Sequence, residues 1–206
     1  LDLLFKIFNI ENENNLETSS FVEKENPIII EPNYPLFDHQ INVLNQTKEF
    51  FKTPIKKVLL HMPTGAGKTR TAINLVSERL KDSTKSLVIW LAHTEELCQQ
   101  AYDEFSKAWE IIGNRNLKSY KLFKNFRYNL DDISSGFVVL SLDYAYSLTK
   151  TNQNKFFSLA RKCEFVVMDE AHMSVAPSYQ QVLEILVNKE TCLLGLTATP
   201  GRAEII

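Results

Sequence analysis

Cysteine is sparse in this 206-residue chain: Cys98, Cys163 and Cys192 stand far apart and form no CxxC pair. With only four scattered histidines beside them, no zinc cluster is expected. Each thiol falls in an apolar pattern, which predicts buried, reduced side chains in a reducing, cytoplasmic setting. Long apolar runs are also missing. Residues 1–8 are too few, and too soon followed by acids, for a membrane span or a secretory signal, so no membrane partner is expected. There is no initiator Met, and the end from Arg202 to Ile206 brings neither a capping helix nor a polar tail. A piece of a longer protein is therefore expected. Nor is there a large charge excess: the net charge of −2 points neither toward nucleic acid nor away from it.

Glycine numbers only six, yet two of the six stand in one string, Met62-Pro63-Thr64-Gly65-Ala66-Gly67-Lys68-Thr69. A second string, Asp169-Glu170-Ala171-His172, follows later, and each comes directly after a short apolar run, residues 58–60 and 165–168. With 44% apolar and 23% charged residues, the chain supports one good core and a little length besides. Residues 1–35 carry two basic and seven acidic side chains, which leaves the remainder mildly basic. Residues 1–33 read as a preceding segment, with helical spacing in residues 1–10, plus an acidic linker. Residues 34–206 read as the folded domain.

Within that domain strands and helices alternate. Phe37, Ile41, Leu44 and Phe51 mark one helical face, and Ala72, Ile73, Val76 and Leu80 another. A helix from Glu95 carries Leu97, Ala101 and Phe105 and stops near Gly113; further helices are predicted at 153–162 and 179–187. Strands are predicted at 58–61, 87–91, 117–123, 137–141, 164–168 and 192–196. Apolar strands alternating with amphipathic helices predict an α/β domain with a mostly parallel sheet and helices on both faces. Ligands of such sheets sit beyond the carboxyl ends of the strands, where both strings begin.

Gly65, Gly67, Lys68 and Thr69 have the spacing of a phosphate-binding Walker A loop between a strand and a helix. Glycines let the backbone, here Pro63 to Thr69, bend around phosphates with its N–H groups inward, and the helix start adds positive potential. Lys68 would reach the β- and γ-phosphates of ATP, and Thr69 would hold Mg²⁺. Asp169, emerging at a strand end, would be the second Mg²⁺ ligand, and its neighbour Glu170 would align and deprotonate the attacking water. The bland alternatives are a glycine turn with a solvated lysine and a surface acidic pair. A phosphate-loop phosphotransferase shares the first string, and a non-catalytic nucleotide-gated binding module remains a further alternative.

In this order and spacing, with Thr197-Ala198-Thr199-Pro200 after the last strand, the residues resemble the superfamily 2 helicases and translocases. The closest branch is the one with restriction-enzyme motor subunits and related repair and defence helicases. The resemblance covers residues 34–202 and implies a RecA-like P-loop NTPase lobe. It implies that His172, Thr197, Ala198 and Thr199 couple the nucleotide state to nucleic acid, DNA in preference to RNA. It also implies that Gln40 reads the adenine edge, although Phe37 stands where an arginine is usual. Thr94 and Ser141 would contact nucleic-acid backbone, Thr94 having helix capping as its alternative. A second RecA-like lobe with an arginine finger is expected beyond this chain, so the piece alone should bind nucleotide weakly and turn it over poorly. Lys118, Lys121, Lys124 and Arg127 interleave with Tyr120, Phe123, Phe126 and Tyr128. That pattern suits a base-stacking platform, but a buried strand with a solvated, charged edge is the preferred reading.

Overall fold

Strands that are apolar at every position can be buried only where both sheet faces are covered. The computed structural model, which describes residues 32–199, builds that arrangement. In chain order the elements are α1 Asp38–Lys52, β1 Lys57–His61, α2 Lys68–Asp82, β2 Leu87–Ala92, α3 Glu95–Ile112, β3 Ser119–Leu122, a 3₁₀ turn Leu130–Asp132, β4 Gly136–Ser141, α4 Leu142–Thr151, α5 Gln153–Lys162, β5 Phe165–Met168, a second 3₁₀ turn Ala171–Val175, α6 Pro177–Leu186 and β6 Cys192–Thr197. Among the described residues the sheet has six strands, all parallel, in the order β1-β6-β5-β2-β4-β3. The helical spacing read in residues 1–10, the linker after it and the chain end from Pro200 lie outside the described residues.

Alternate residues of each strand feed two cores. Val88, Trp90, Phe137, Val139, Phe165, Val167, Leu194 and Leu196 meet α1, α2 and α3 on one face. Leu87, Ile89, Leu91, Val138, Leu140, Val166 and Met168 meet α4, α5 and α6 on the other. The three cysteines are buried and unpaired. Burial pushes the thiols of Cys98 and Cys163 up to about 12, so both are neutral side chains of the core. Among the described residues no helix is long and apolar enough to cross a membrane.

Several expectations are corrected. The buried face of α1 is Gln40, Leu44, Thr47 and Phe51, whereas Phe37 and Ile41 are exposed. Apolar spacing chose the wrong stripe because its first buried member is polar. β3 is shorter than the predicted strand at 117–123. Helix α4 had not been predicted, since it leaves β4 with no intervening loop and its tyrosines suit a strand as well. Its face of Leu142, Ala145 and Leu148 is the signal that was present. Arg115, part of the apparent basic excess, is engaged at the end of α2, donating to the carbonyls of Leu80 and Ser83.

Candidate functional site

The strand order sets the site. β6 is the last of the described strands yet lies between β1 and β5, with His61 level with Thr197 and Met168 level with Gly195. The carboxyl ends of these three strands therefore deliver the phosphate loop, the Thr-Ala-Thr string and the acidic box side by side. Gly195 permits the closeness, for a Cβ there would meet Ala171 Cβ and Leu59 Cδ1 at 2.9 Å each.

The loop from Met62 to Gly67 turns sharply before α2. Gly65 and Gly67 have φ of 79° and 82°, values that side chains rarely adopt. Ala66 N–H donates to Pro63 O at 3.1 Å, and Gly67 O accepts the N–H of Thr71 at 2.9 Å. The first N–H groups of α2 have no partner within the helix and face outward at its positive end. Lys68 and the Thr69 hydroxyl make no hydrogen bond or ion pair among the described residues. A cleft of about 410 Å³ opens here, lined by Thr64, Gly65, Gly67, Lys68, Thr69, Asp169 and Glu170.

Gln40 lies behind the loop and is 2% exposed. Its Nε2 donates to Ala66 O at 3.0 Å, and its Oε1 accepts the N–H of Phe37 at 3.0 Å. The second bond is half of a capping box, in which the third helical residue reaches back to the N-cap N–H.

Asp169 is 5% exposed at the mouth of β5 and accepts the Glu170 N–H at 3.0 Å. Burial chiefly, opposed by that hydrogen bond, pushes its carboxyl up to about 6. The buried indole N–H of Trp90, which reaches no acceptor with good hydrogen-bond geometry among the described residues, lies toward the same carboxylate and favours its charged form. A nearly buried carboxylate that makes no close ion pair among the described residues, sharing a cleft with Lys68 and the Thr69 hydroxyl, fits a hard divalent ion that takes its other ligands from phosphate and water. Glu170 is held at φ 50°, a strained backbone for a non-glycine residue, and its side chain lines the same cleft as that of Asp169. Its Oε2 is 3.3 Å from His172 Nδ1.

Thr197, fully buried, closes the circuit. Its carbonyl accepts the Met62 N–H at 3.2 Å, its Oγ1 donates to Thr199 O at 2.7 Å, and the same oxygen lies 3.5 Å from His172 Nδ1. The Ala198 carbonyl meets His61 Nε2 at 3.1 Å. Thr94 and Ser141 stand away from this cluster and cap helices: Thr94 Oγ1 accepts the Leu97 N–H at 3.2 Å, and Ser141 Oγ accepts the Tyr144 N–H at 3.4 Å. Both are at carboxyl strand ends, on the same sheet edge as the cleft.

Spacing alone missed the far wall of the cleft, made by Arg70, Leu97, Gln100 and Glu104. The signal was an i, i+3, i+7 stripe on α3 that turns polar after Leu97. Arg70 stacks over the Tyr34 ring at 3.9 Å, and the Tyr34 hydroxyl donates to Glu104 at 2.6 Å. The basic and aromatic stretch forms the edge of the sheet. The Lys121 ammonium sits 4.1 Å from the Tyr102 ring, Arg127 sits 4.1 Å from the Tyr144 ring, and the Tyr128 ring folds back to within 5.1 Å of Tyr120.

The family model of the type III restriction enzyme res subunit, ResIII, matches residues 33–202. The DNA 3′-5′ translocase XPB2 of Sulfurisphaera tokodaii is 26% identical over 187 residues, covering 88% of this chain and 36% of that protein. The ATP-dependent DNA helicase Hel308 of Thermoplasma volcanium is 27% identical over 184 residues, covering 84% of this chain and 24% of its own length. The crystal structure of the DUF1998 helicase MrfA bound to DNA superposes with a TM-score of 0.63 at 17% identity, over 81% of this chain and 24% of that one. The chain spans about a third of the length of the curated relatives it matches.

Proposed function

The chain belongs to the ResIII family and is a RecA-like motor domain of the superfamily 2 helicases; on that premise we propose that it binds ATP with Mg²⁺ and, within its full protein, hydrolyses it to drive movement along nucleic acid. The observation that carries this reading is the single cleft lined by Lys68, Thr69, Asp169 and Glu170.

In the proposed site the loop from Pro63 through Thr64, Gly65, Ala66 and Gly67 wraps the phosphates, with Lys68 on the β- and γ-phosphates. Thr69 and Asp169 hold Mg²⁺, which when bound would neutralise charge developing on the phosphates. Glu170 orients the water that attacks the γ-phosphate and takes its proton. Its contact with His172 gives the catalytic carboxylate a direct link to Thr197, and through Thr197, Ala198 and Thr199 to the base of the loop. Nucleic acid would cross the sheet edge past Thr94 and Ser141, and we take it to be DNA in preference to RNA; XPB2 and Hel308 are DNA enzymes by name, whereas the relative QP509L of African swine fever virus is an RNA helicase by name.

We place the motor lobe at residues 34–206, with residues 1–33 as a leading segment and linker. A second RecA-like lobe in the full protein would supply the arginine finger, which contributes on the order of 10³ to 10⁵ in turnover. The short share of each relative that is covered supports that division of labour, and the three buried thiols support a cytoplasmic setting.

The test is made on the full protein. Lys68→Ala should weaken Mg-ATP binding at least tenfold, and Glu170→Gln should leave binding intact while lowering nucleic-acid-stimulated hydrolysis about a hundredfold or more. Unchanged hydrolysis in both variants would sink the reading.

A further inference from the structure

A strand at the edge of a sheet presents unpaired N–H and C=O groups, and an added strand is what satisfies them. Among the described residues β3 is such an edge, paired with β4 alone. The carbonyl of Lys118 accepts the Phe137 N–H at 3.1 Å, so along β3 the backbone groups of Lys118 and Tyr120 face β4. Those of Ser119 and Lys121 face outward.

The outward side is a groove of about 390 Å³, lined by Ser119 and Lys121 together with Lys118, Phe126, Arg127 and Tyr128. Its floor is the open strand edge. Three of these side chains are cations, none is an acid, and the three cations make no ion pair among the described residues. Asp131 and Asp132, further along the chain, are held by Lys155 and Asn129 at 3.0 Å each. The cations flank both faces of the strand: Lys121 lies over Tyr102 of α3, and Arg127 lies over Tyr144 of α4, the side to which Lys118 and Tyr120 turn by alternation. Phe126 and Tyr128, each about half exposed, add apolar surface.

Charge and backbone chemistry together decide the occupant. A second copy of this edge would set lysine against lysine, and a basic segment is repelled in the same way. A nucleic-acid strand has the right charge, but its sugar–phosphate backbone has no N–H to give the outward carbonyls of Ser119 and Lys121. An extended peptide rich in carboxylates supplies both.

We propose that the open edge of β3 is a docking site for a partner protein, which adds an extended acidic segment as a further strand beside Ser119 and Lys121, with its carboxylates on Lys118, Lys121 and Arg127. The groove is separate from the phosphate cleft, and docking there requires no nucleotide.

The experiment is fluorescence anisotropy of labelled probes, about ten residues long, mixed with the 206-residue chain. The probe is a peptide of alternating Glu and Val, compared with the same peptide N-methylated throughout, with an alternating Lys-Val peptide and with single-stranded oligothymidine. The Glu-Val peptide should bind in the micromolar range, at least about tenfold more tightly than either other peptide, and oligothymidine should not displace it. Ser119→Pro removes an outward N–H that β4 does not use and should weaken the Glu-Val peptide about tenfold. Lys118→Glu, at an exposed side chain, should weaken it severalfold at low salt and less at high salt, with circular dichroism unchanged. That variant and the peptide comparison carry the test even if Ser119→Pro does not fold. No binding of the Glu-Val peptide up to about 1 mM overturns the inference. So does equal binding of the N-methylated peptide, which would leave charge without strand addition, or displacement by oligothymidine, which would make the groove a nucleic-acid surface. Wild-type affinity in Lys118→Glu overturns it as well.

Discussion

The Met62 N–H, one step beyond the last paired residue of β1, donates to the carbonyl of Thr197, the last paired residue of β6, at 3.2 Å. The stem of the phosphate loop and the Thr-Ala-Thr string are therefore one continuous ladder. Through the Thr197 hydroxyl, 3.5 Å from His172 Nδ1, that ladder reaches the residue paired with Glu170.

A change at Thr197 should thus act on coupling before it acts on binding. Thr197→Val keeps the shape and the backbone ladder but removes the hydroxyl bonds to Thr199 and His172. In the full protein, Mg-ATP affinity should stay within about twofold, while stimulation of hydrolysis by nucleic acid should fall about tenfold, the effect of losing roughly one good hydrogen bond in the active arrangement. Equal stimulation in the two proteins would disconnect Thr197 from the relay.

Asp169 links the site to stability and pH. Its carboxyl is pushed up to about 6, from 3.8 when unburied. Between about pH 4 and 6 the folded chain therefore holds a proton that the unfolded chain has released. Stability without metal falls as pH rises through that window and stays low above it. Asp169→Asn abolishes the effect while retaining an acceptor for Glu170 N. At pH 8 and without Mg²⁺ it should stabilise the chain by on the order of 2 kcal/mol, or several degrees in Tm, and much less at pH 4.5. The same variant should lose the further rise in Tm that Mg-ATP gives the wild type. Thermal melts at both pH values check this, and a variant less stable than wild type at pH 8 would show that burial is not what strains Asp169.

Gly195 tests how tightly the acidic box is seated. Gly195→Ala puts a methyl 2.9 Å from both Ala171 Cβ and Leu59 Cδ1, which should cost about 1–3 kcal/mol and lower Tm by roughly 3–9 °C. Because Ala171 adjoins Glu170, hydrolysis by the full protein at a temperature where the variant is still folded should fall further than the folded fraction does. Activity that merely follows the folded fraction would limit Gly195 to a packing role.

Thr94 separates capping from contact with nucleic acid. Thr94→Ala removes the acceptor for Leu97 N and should cost about 1 kcal/mol of stability. Thr94→Asp restores the cap and should restore the melting temperature. Its negative charge should still repel backbone phosphate, weakening nucleic-acid binding severalfold at low salt with a shallower loss toward high salt. Binding equal to wild type in the aspartate variant would leave Thr94 as a cap alone.

Much of this was legible in one dimension because local chemistry demands it. Uninterrupted apolar runs such as residues 165–168 require a strand covered on both faces, and Gly65 and Gly67 before Lys68 and Thr69 predict a sharp loop that opens a helix. Those signals lie within a few residues of one another, where backbone sterics and side-chain spacing act directly. Tertiary structure alone decided what stands beside what. Nothing in the order of the chain says that β6, the last of the described strands, slides between β1 and β5 and carries Thr197 to Met62 and His172; that follows from hydrogen-bonding strands pairing by register, not by sequence. Nor could spacing show that Gln40 turns inward to hold Ala66 while Phe37 faces water. A polar residue on an amphipathic helix is read as exposed until the packing of that helix against the loop gives its amide two partners.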